Sequence, residues 1–259
     1  THVFDFSGSG NNATDIGGSF VNITDAKYGF SRSFDGKNDV INVTTASDLI
    51  ENNLGTIMVW VKPNDAGLAS SVIYDGQGII QNSQGYFGIM QGEYSGNDKL
   101  WIYNYDSNVD YISIDYTVGE WIHLGWVHSG GRIYGYRNGV LIGSNVSGNT
   151  FSLSPDFKLG QGYATYDLFN GSIDDVMVWN RSLSANEIFQ LYQSSLKKFG
   201  PNETLEWVNT SSFGNFSSSI KSSNGLDWEI LINQSGLVVG ESYDYKLVAM
   251  DVASNSNDT

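Results

Sequence analysis

The stretch Phe169-Asn-Gly-Ser-Ile-Asp-Asp-Val-Met-Val-Trp-Asn-Arg-Ser-Leu-Ser-Ala-Asn-Glu-Ile-Phe-Gln-Leu-Tyr192 reads as one strand running into one short helix. From Ser172 to Trp179 the residues alternate, which places Val176 and Val178 on one face and Met177 and Trp179 on the other. After a turn at Asn180-Arg181, Ser184 stands three residues before Glu187, the spacing of a capping box. There the Ser hydroxyl accepts from the Glu187 amide, and the Glu187 carboxylate accepts from the Ser184 amide. Leu183 and Ile188 hold the staple positions around the cap, and Ile188, Leu191 and Tyr192 form an apolar stripe at helical spacing. The stretch predicts a strand closed by a docked helix.

Working outward, the chain before it is a series of short apolar runs separated by turn signals. Phe4 and Phe6 share a face of an opening strand over 2–6, followed by a Ser-Gly-Ser-Gly-Asn-Asn turn cluster. Further strands are expected over 40–43, 72–74, 85–90, 100–105 and 157–159. The denser runs at 57–61 and 121–127 suit central strands buried on both faces. Asn138-Gly139 supplies the two positive φ values of a type I′ turn, which makes 132–137 and 140–143 a hairpin. With about a dozen short strands and no long helical pattern before residue 184, the reading is all-β. It is a two-sheet antiparallel jelly-roll sandwich with one short C-terminal helix. Gly200-Pro201 ends the helix, after Lys197 and Lys198 at its negative pole, and marks a boundary between domains 1–199 and 200–259. Beyond it, 204–208, 216–221, 226–232 and 243–250 read as four more strands.

The composition narrows the function classes. The 259 residues carry a net charge of -15, which argues against nucleic acid or an anionic membrane surface as partner. There is no Cys, hence no disulfide framework, thiolate metal site or Cys nucleophile. No apolar run is long enough to span a membrane in this portion. The first residue is Thr, and the chain reads as a processed portion of something longer. Asn-x-Ser/Thr triplets begin at Asn12, Asn22, Asn42, Asn145, Asn170, Asn180, Asn202, Asn209, Asn215, Asn233 and Asn257. Chance at this composition gives about four. The excess points to an N-glycosylated, exported, cell-surface protein, against accidental sequons in an Asn- and Ser-rich β-protein. The lack of disulfides fits a microbial source.

The closing strand Gly-x-Ile-Asp-Asp-Val, with Trp-Asn-Arg-x-Leu-Ser and Glu-Ile after it, resembles the end of a laminin-G-like module of the concanavalin A-like lectin/glucanase superfamily. The resemblance extends back in order through Trp121-Ile-His-Leu124 with Tyr136-Arg-Asn-Gly139, Thr56-Ile-Met-Val-Trp-Val-Lys-Pro63, Tyr28-Gly-Phe-Ser-Arg-Ser-Phe-Asp-Gly36 and Asp5-Phe-Ser-Gly-Ser-Gly-Asn-Asn-Ala-Thr14. It covers about the first 195 residues and implies the jelly-roll sandwich. Tyr243-Asp-Tyr-Lys-Leu-Val-Ala-Met-Asp-Val-Ala-Ser-Asn-Ser-Asn-Asp-Thr259 resembles the penultimate strand and following loop of a fibronectin type III or immunoglobulin-like module. Such a small sandwich would here lack its last strand. Either the chain is cut there or a neighbouring copy adds the strand, an oligomer by strand addition.

Candidate chemistry is sparse. Asp174 shares a face with Val176 and Val178 by alternation, and a buried carboxylate needs strong partners or a cation. The family resemblance implies a structural Ca²⁺ in some members, which here would recruit Asp174 and Asp35. The alternative is an Asp174 that accepts backbone amides or pairs with Arg32. Trp101, Tyr103 and Tyr105 line one strand face, and Tyr134 and Tyr136 another. Such rings either stack on sugars or fill an ordinary core. The Glu residues are scattered rather than paired as glycoside hydrolysis requires. Only His2, His123 and His128 are available for acid–base or zinc work, and His123 sits in an apolar strand. No Gly-x-Ser-x-Gly elbow, phosphate loop or metalloprotease helix occurs. The expectation is a non-catalytic, extracellular module for adhesion, recognising a glycan or a surface protein. The alternatives are a structural subunit of a surface layer or filament, and the carbohydrate-binding appendage of a secreted hydrolase.

Overall fold

The computed structural model describes residues 2–27, 30–44, 54–67, 69–70, 76–82, 85–94, 97–105, 109–147, 156–196, 216–223, 228–234, 248–250 and 256–258. The first strands are β1 (His2–Val3), β2 (Ala13–Ile16), β3 (Phe20–Asn22), β4 (Ser31–Asp35) and β5 (Val40–Val43). Then come β6 (Gly55–Pro63), β7 (Ala69–Ser70), β8 (Gln77–Asn82), β9 (Phe87–Tyr94), β10 (Asn97–Tyr105) and β11 (Val109–Ile114). The sandwich closes with β12 (Ile122–Ser129), β13 (Arg132–Arg137), β14 (Val140–Val146), β15 (Phe157–Leu159), β16 (Asn170–Trp179) and the helix α1 (Ala185–Leu196). One sheet has nine strands in the order β1-β2-β5-β15-β8-β9-β10-β11, with β7 added parallel to β9. The other has seven, in the order β14-β13-β12-β6-β16-β4-β3. This is the expected two-sheet, antiparallel, all-β architecture.

Alternation along β6 explains why it was read as central. Ile57, Val59 and Val61 enter the core between the sheets, where they join Leu124 and Trp126 of β12, Ile80, Ile89, Leu100 and Ile102. Met58 points the other way, into a second apolar cluster with Val127, Tyr136, Leu183 and Ile188. That cluster is the seat of α1 on the outer face of the seven-stranded sheet. The capping box forms as the sequence predicts. The Ser184 amide donates to Glu187 Oε2 at 2.8 Å, and the Glu187 amide donates to Ser184 Oγ at 3.3 Å. Arg181 adds an ion pair to Glu187 at 2.7 Å, and this guanidinium, with the Ser184 donors, holds the carboxyl at about 2. In the Asn138-Gly139 turn φ is 49° and 76°, the type I′ signature.

Two expectations about strands need correction. The opening strand stops at Val3, and Phe4 and Phe6 are exposed. The Asp5 carboxylate accepts the amides of Ser7 (2.8 Å) and Asn11 (2.9 Å), which curls the backbone into a turn instead of extending it. On β16 a bulge between Asp174 and Met177, with Asp175 at φ 51°, resets the alternation. Ile173, Val176 and Val178 face the core while Asp174 pairs with Trp60 and lies on the face of Met177 and Trp179. Asp174 is therefore not a core-facing carboxylate.

By compactness the chain divides into two units, the first running from Thr1 to Gln193. In the second, β17 (Phe216–Ser223) pairs with β18 (Trp228–Gln234), and β19 (Val248–Met250) with β20 (Ser256–Asp258), both antiparallel. The segment read as a terminal loop thus contains a returning strand. The strands expected over 72–74 and 204–208, and the Gly200-Pro201 stop, lie outside the described residues.

Candidate functional site

The outer face of the nine-stranded sheet carries a row of polar side chains set by register. Thr14 pairs with Asn42, Asn42 with Lys158, Lys158 with Gln81, Gln81 with Gly88, Gly88 with Tyr103 and Tyr103 with Tyr111. Directly opposed residues project to the same side, so the row crosses six strand boundaries. Residues flanking it turn inward: Ile41 and Val43 on β5, Phe157 and Leu159 on β15. Gly88 has φ 153°, and a Cβ there would collide with Gln81. Its bare backbone gives the Tyr103 hydroxyl room to donate to Gln81 Oε1 at 2.8 Å.

At the β2-β5-β15 end this face opens into a cavity of about 310 Å³, at the lower end of the ~300–1,000 Å³ usual for small-ligand pockets. Ile16, Val40, Asn42 and Lys158 form its floor, Lys37 and Asn38 one wall, and Gln161, Thr165 and Leu168 the other. The second wall is a stiff loop. Gly162 donates to the Asp167 carbonyl at 2.7 Å, Ala164 to Asp167 Oδ2 at 3.0 Å, and Gln161 bridges to Leu168. Lys158 Nζ donates to Gln161 Oε1 at 3.0 Å, and Gln161 Nε2 to the Thr165 carbonyl at 3.2 Å. Asn42 Oδ1 is buried in the cavity floor with no hydrogen-bond donor. A buried acceptor left unpaired is costly. The same loop presents Tyr163 and Tyr166, 65% and 70% exposed, with the Tyr163 ring packed against Gly85.

The aromatic residues singled out by sequence do not come together. Trp101 (5% exposed) and Tyr103 (1%) are enclosed on the nine-stranded sheet, the indole N–H donating to the Gly92 carbonyl at 3.3 Å. Burial pushes the Tyr103 hydroxyl well above its usual pKa. Tyr105 is half-buried beside them. Tyr134 and Tyr136 belong to the other sheet, in the cluster under α1. Trp101, Tyr103 and Tyr136 are buried with no free face for a sugar, and Tyr105 and Tyr134 are half-buried; Tyr163 and Tyr166, in a loop with no strand alternation to advertise them, are exposed.

The proposed calcium pair also separates. Asp35 opposes Asn170 in register, and Asp174 stands four residues further along β16, roughly 13 Å away at ~3.3 Å per residue. One ion bound at ~2.3–2.6 Å cannot use both. Asp174 Oδ1 instead accepts the Asp175 amide at 2.8 Å, and Arg32 pairs with Asp15 at 3.3 Å. Among the described residues no three His, Asp or Glu side chains gather as a metal site. His123 lies on the outer face of the seven-stranded sheet between Trp60 (5.1 Å) and Tyr192 (5.4 Å), with neither ring nitrogen hydrogen-bonded, and burial lowers its pKa to about 3.

The sequons sort by geometry. Asn12 and Asn180 are exposed. Asn145 is on the edge strand β14, its Oδ1 taken by the Val146 amide at 2.8 Å. Asn22 Nδ2 donates to Ser33, and Asn170 Nδ2 donates to Asp65 at 2.7 Å. Asn42 lines the cavity. Asn233 and Asn257 fall on β18 and β20, and Asn202, Asn209 and Asn215 lie outside the described residues.

No curated protein matches this sequence. Among solved structures, domain 4 of AbnA, a GH43 extracellular arabinanase from Geobacillus stearothermophilus in complex with arabinotriose, is similar with TM-score 0.53 and 20% identity. The match covers 70% of this chain and 88% of that one. A botulinum neurotoxin type C structure, whose cell entry is described as dependent on two ganglioside molecules, aligns with TM-score 0.58 at 17% identity over 81% of this chain and 52% of that one. The receptor-binding domain of botulinum neurotoxin type G aligns with TM-score 0.53 at 17% identity over 73% of this chain. This chain spans about half the length of the neurotoxin chains it matches. At these identities the likeness concerns the fold. Residues 35–189, more than half of the chain, match a laminin-G family model. The chain belongs to the concanavalin A-like lectin/glucanases superfamily.

Proposed function

We propose that residues 1–199 form a non-catalytic glycan-recognition module of an exported microbial cell-surface protein, with residues 200–259 as an immunoglobulin-like spacer. The observation that carries this reading is the cavity on the outer face of the nine-stranded sheet. Amide, hydroxyl and ammonium groups line it, and two exposed Tyr rings stand on its rim loop. A sugar offers hydroxyls to the former and C–H faces to the rings. The arabinanase domain solved with arabinotriose supports the reading, and also suits an appendage of a secreted hydrolase. The test is a glycan array followed by calorimetry. Saturable binding is expected, weakened about tenfold when Tyr163→Ala and Tyr166→Ala are combined. Binding of no glycan above background would overturn the reading.

A second reading, a subunit of a surface layer or filament, is favoured by one observation. The edge strands β14 and β3 leave Val140, Leu141, Ile142, Phe20 and Val21 exposed, and open apolar edges invite strand pairing. Light scattering distinguishes the two: a chain that stays monomeric at high concentration excludes assembly through these edges.

A further inference from the structure

We infer that the cavity selects acidic saccharides, those bearing a carboxylate or sulfate beside free hydroxyls; this rests on the glycan reading above. The protein is strongly acidic, with 28 Asp and Glu against 13 Lys and Arg. Yet two of those 13 cations, Lys37 and Lys158, line this one cavity, and no carboxylate does. Elsewhere several cations are matched, while Lys27 lies over the Trp60 ring and Arg132 donates to Ser144. Arg32, Lys62 and Arg181 each hold a carboxylate oxygen within 3.3 Å. Lys158 differs. Among the described residues it has no carboxylate within ion-pair distance, and its hydrogen bond goes to the neutral Gln161 amide oxygen.

Placement gives that charge a purpose. Lys158 is in the middle strand of the cavity floor, opposed by Asn42 on one side and Gln81 on the other. It is half-buried, so its charge is less screened than one on a flat surface. Lys37, exposed at the rim, already has a loose partner in Asp35 at 3.9 Å and adds a second, weaker attraction. The amide groups of Asn38 and Gln161 and the Thr165 hydroxyl line the same cavity, polar groups that a sugar hydroxyl can engage and that give an inorganic anion no advantage. A cation among uncharged polar groups matches an acidic sugar ring: the anionic group goes to Lys158 and its hydroxyls to the polar side chains around it. The pairing is charge-assisted, and in an otherwise acidic protein it discriminates, because acidic ligands are repelled from the remaining surface.

The experiment is calorimetric titration of the full chain with trigalacturonic acid, a sulfated chondroitin tetrasaccharide, maltotriose and inorganic sulfate, at low and at physiological salt. At least one acidic oligosaccharide is expected to bind tenfold or more tighter than maltotriose, weakening as salt rises. Lys158→Met, which keeps the apolar stem, is expected to abolish that preference, so that acidic and neutral oligosaccharides bind within twofold of each other. Lys37→Ala is expected to cost two- to threefold. The midpoint of thermal unfolding is measured for each variant, and Lys158→Arg, which restores charge, recovers the acidic preference in a folded protein. Binding of trigalacturonic acid shows that a carboxylate suffices, and binding of the chondroitin tetrasaccharide alone points to the sulfate. Maltotriose binding as tightly as both acidic probes overturns the inference but leaves the glycan reading intact. So does a Lys158→Met variant that keeps the preference, or sulfate ion competing as well as the oligosaccharides. Silence from every probe, with an empty glycan array, sinks both.

Discussion

The two outer faces of the sandwich are finished in opposite ways. On the seven-stranded sheet, Met58, Val127 and Tyr136 are sealed by Leu183 and Ile188 at the start of α1, and His123 is shut between Trp60 and Tyr192. On the nine-stranded sheet, the row from Thr14 to Gln81 stays polar at one end and opens into a cavity with an unpaired acceptor. A face covered by the chain's own helix lowers the free energy of folding by apolar burial. A face that keeps hydrogen-bonding groups without partners gives up some of that stability and retains capacity to bind. The contrast puts apolar burial on one sheet's exterior and the proposed recognition site on the other's.

The largest expected effect is acid sensitivity of the helix-covered face. His123 takes up a proton near 6.5 when unfolded but only near 3 when folded. Its contribution is complete above pH 6.5 and is lost as pH falls toward 3, amounting to roughly 5 kcal/mol. Urea unfolding across that range should show the slope, and His123→Phe should flatten it. If the variant keeps the slope, other groups carry the acid response. Next, Ile188→Ala at the helix seat should destabilise by about 2–4 kcal/mol without changing glycan affinity beyond twofold. A matching loss of affinity at the folded variant would dissolve the division between the faces.

Smaller effects sharpen it. Tyr103→Phe removes the donor to Gln81 and should cost about 1 kcal/mol in chemical denaturation, with glycan binding unchanged, since the ring is enclosed. Ser184→Ala should cost about 1 kcal/mol through the lost cap, and its circular dichroism should show fraying confined to α1.

Much of the frame was legible because its signals are local. The Ser184–Glu187 box, the Asn138-Gly139 turn and the doubly buried run in β6 each depend on residues a few positions apart. The site was not legible. Its residues come from 16, 37–42 and 158–168, bland positions brought together only by the pairing of β2, β5 and β15. Alternation was a poor guide for Asp174, because the bulge at Asp175 shifts the period by one residue, and nothing local announces it. For Trp101 and Tyr103 it placed the rings on one face correctly, but could not tell an enclosed face from an open one.

By itself, then, the sequence determined the strand periods, the turns and the helix cap, because these follow from short-range sterics and hydrogen bonding along the chain. Only the tertiary structure decided which sheet exterior α1 covers, that Asp35 and Asp174 stand apart, and that Lys158 meets Asn42 over a cavity. Those depend on strand order and register across more than a hundred residues, which short-range pattern does not encode.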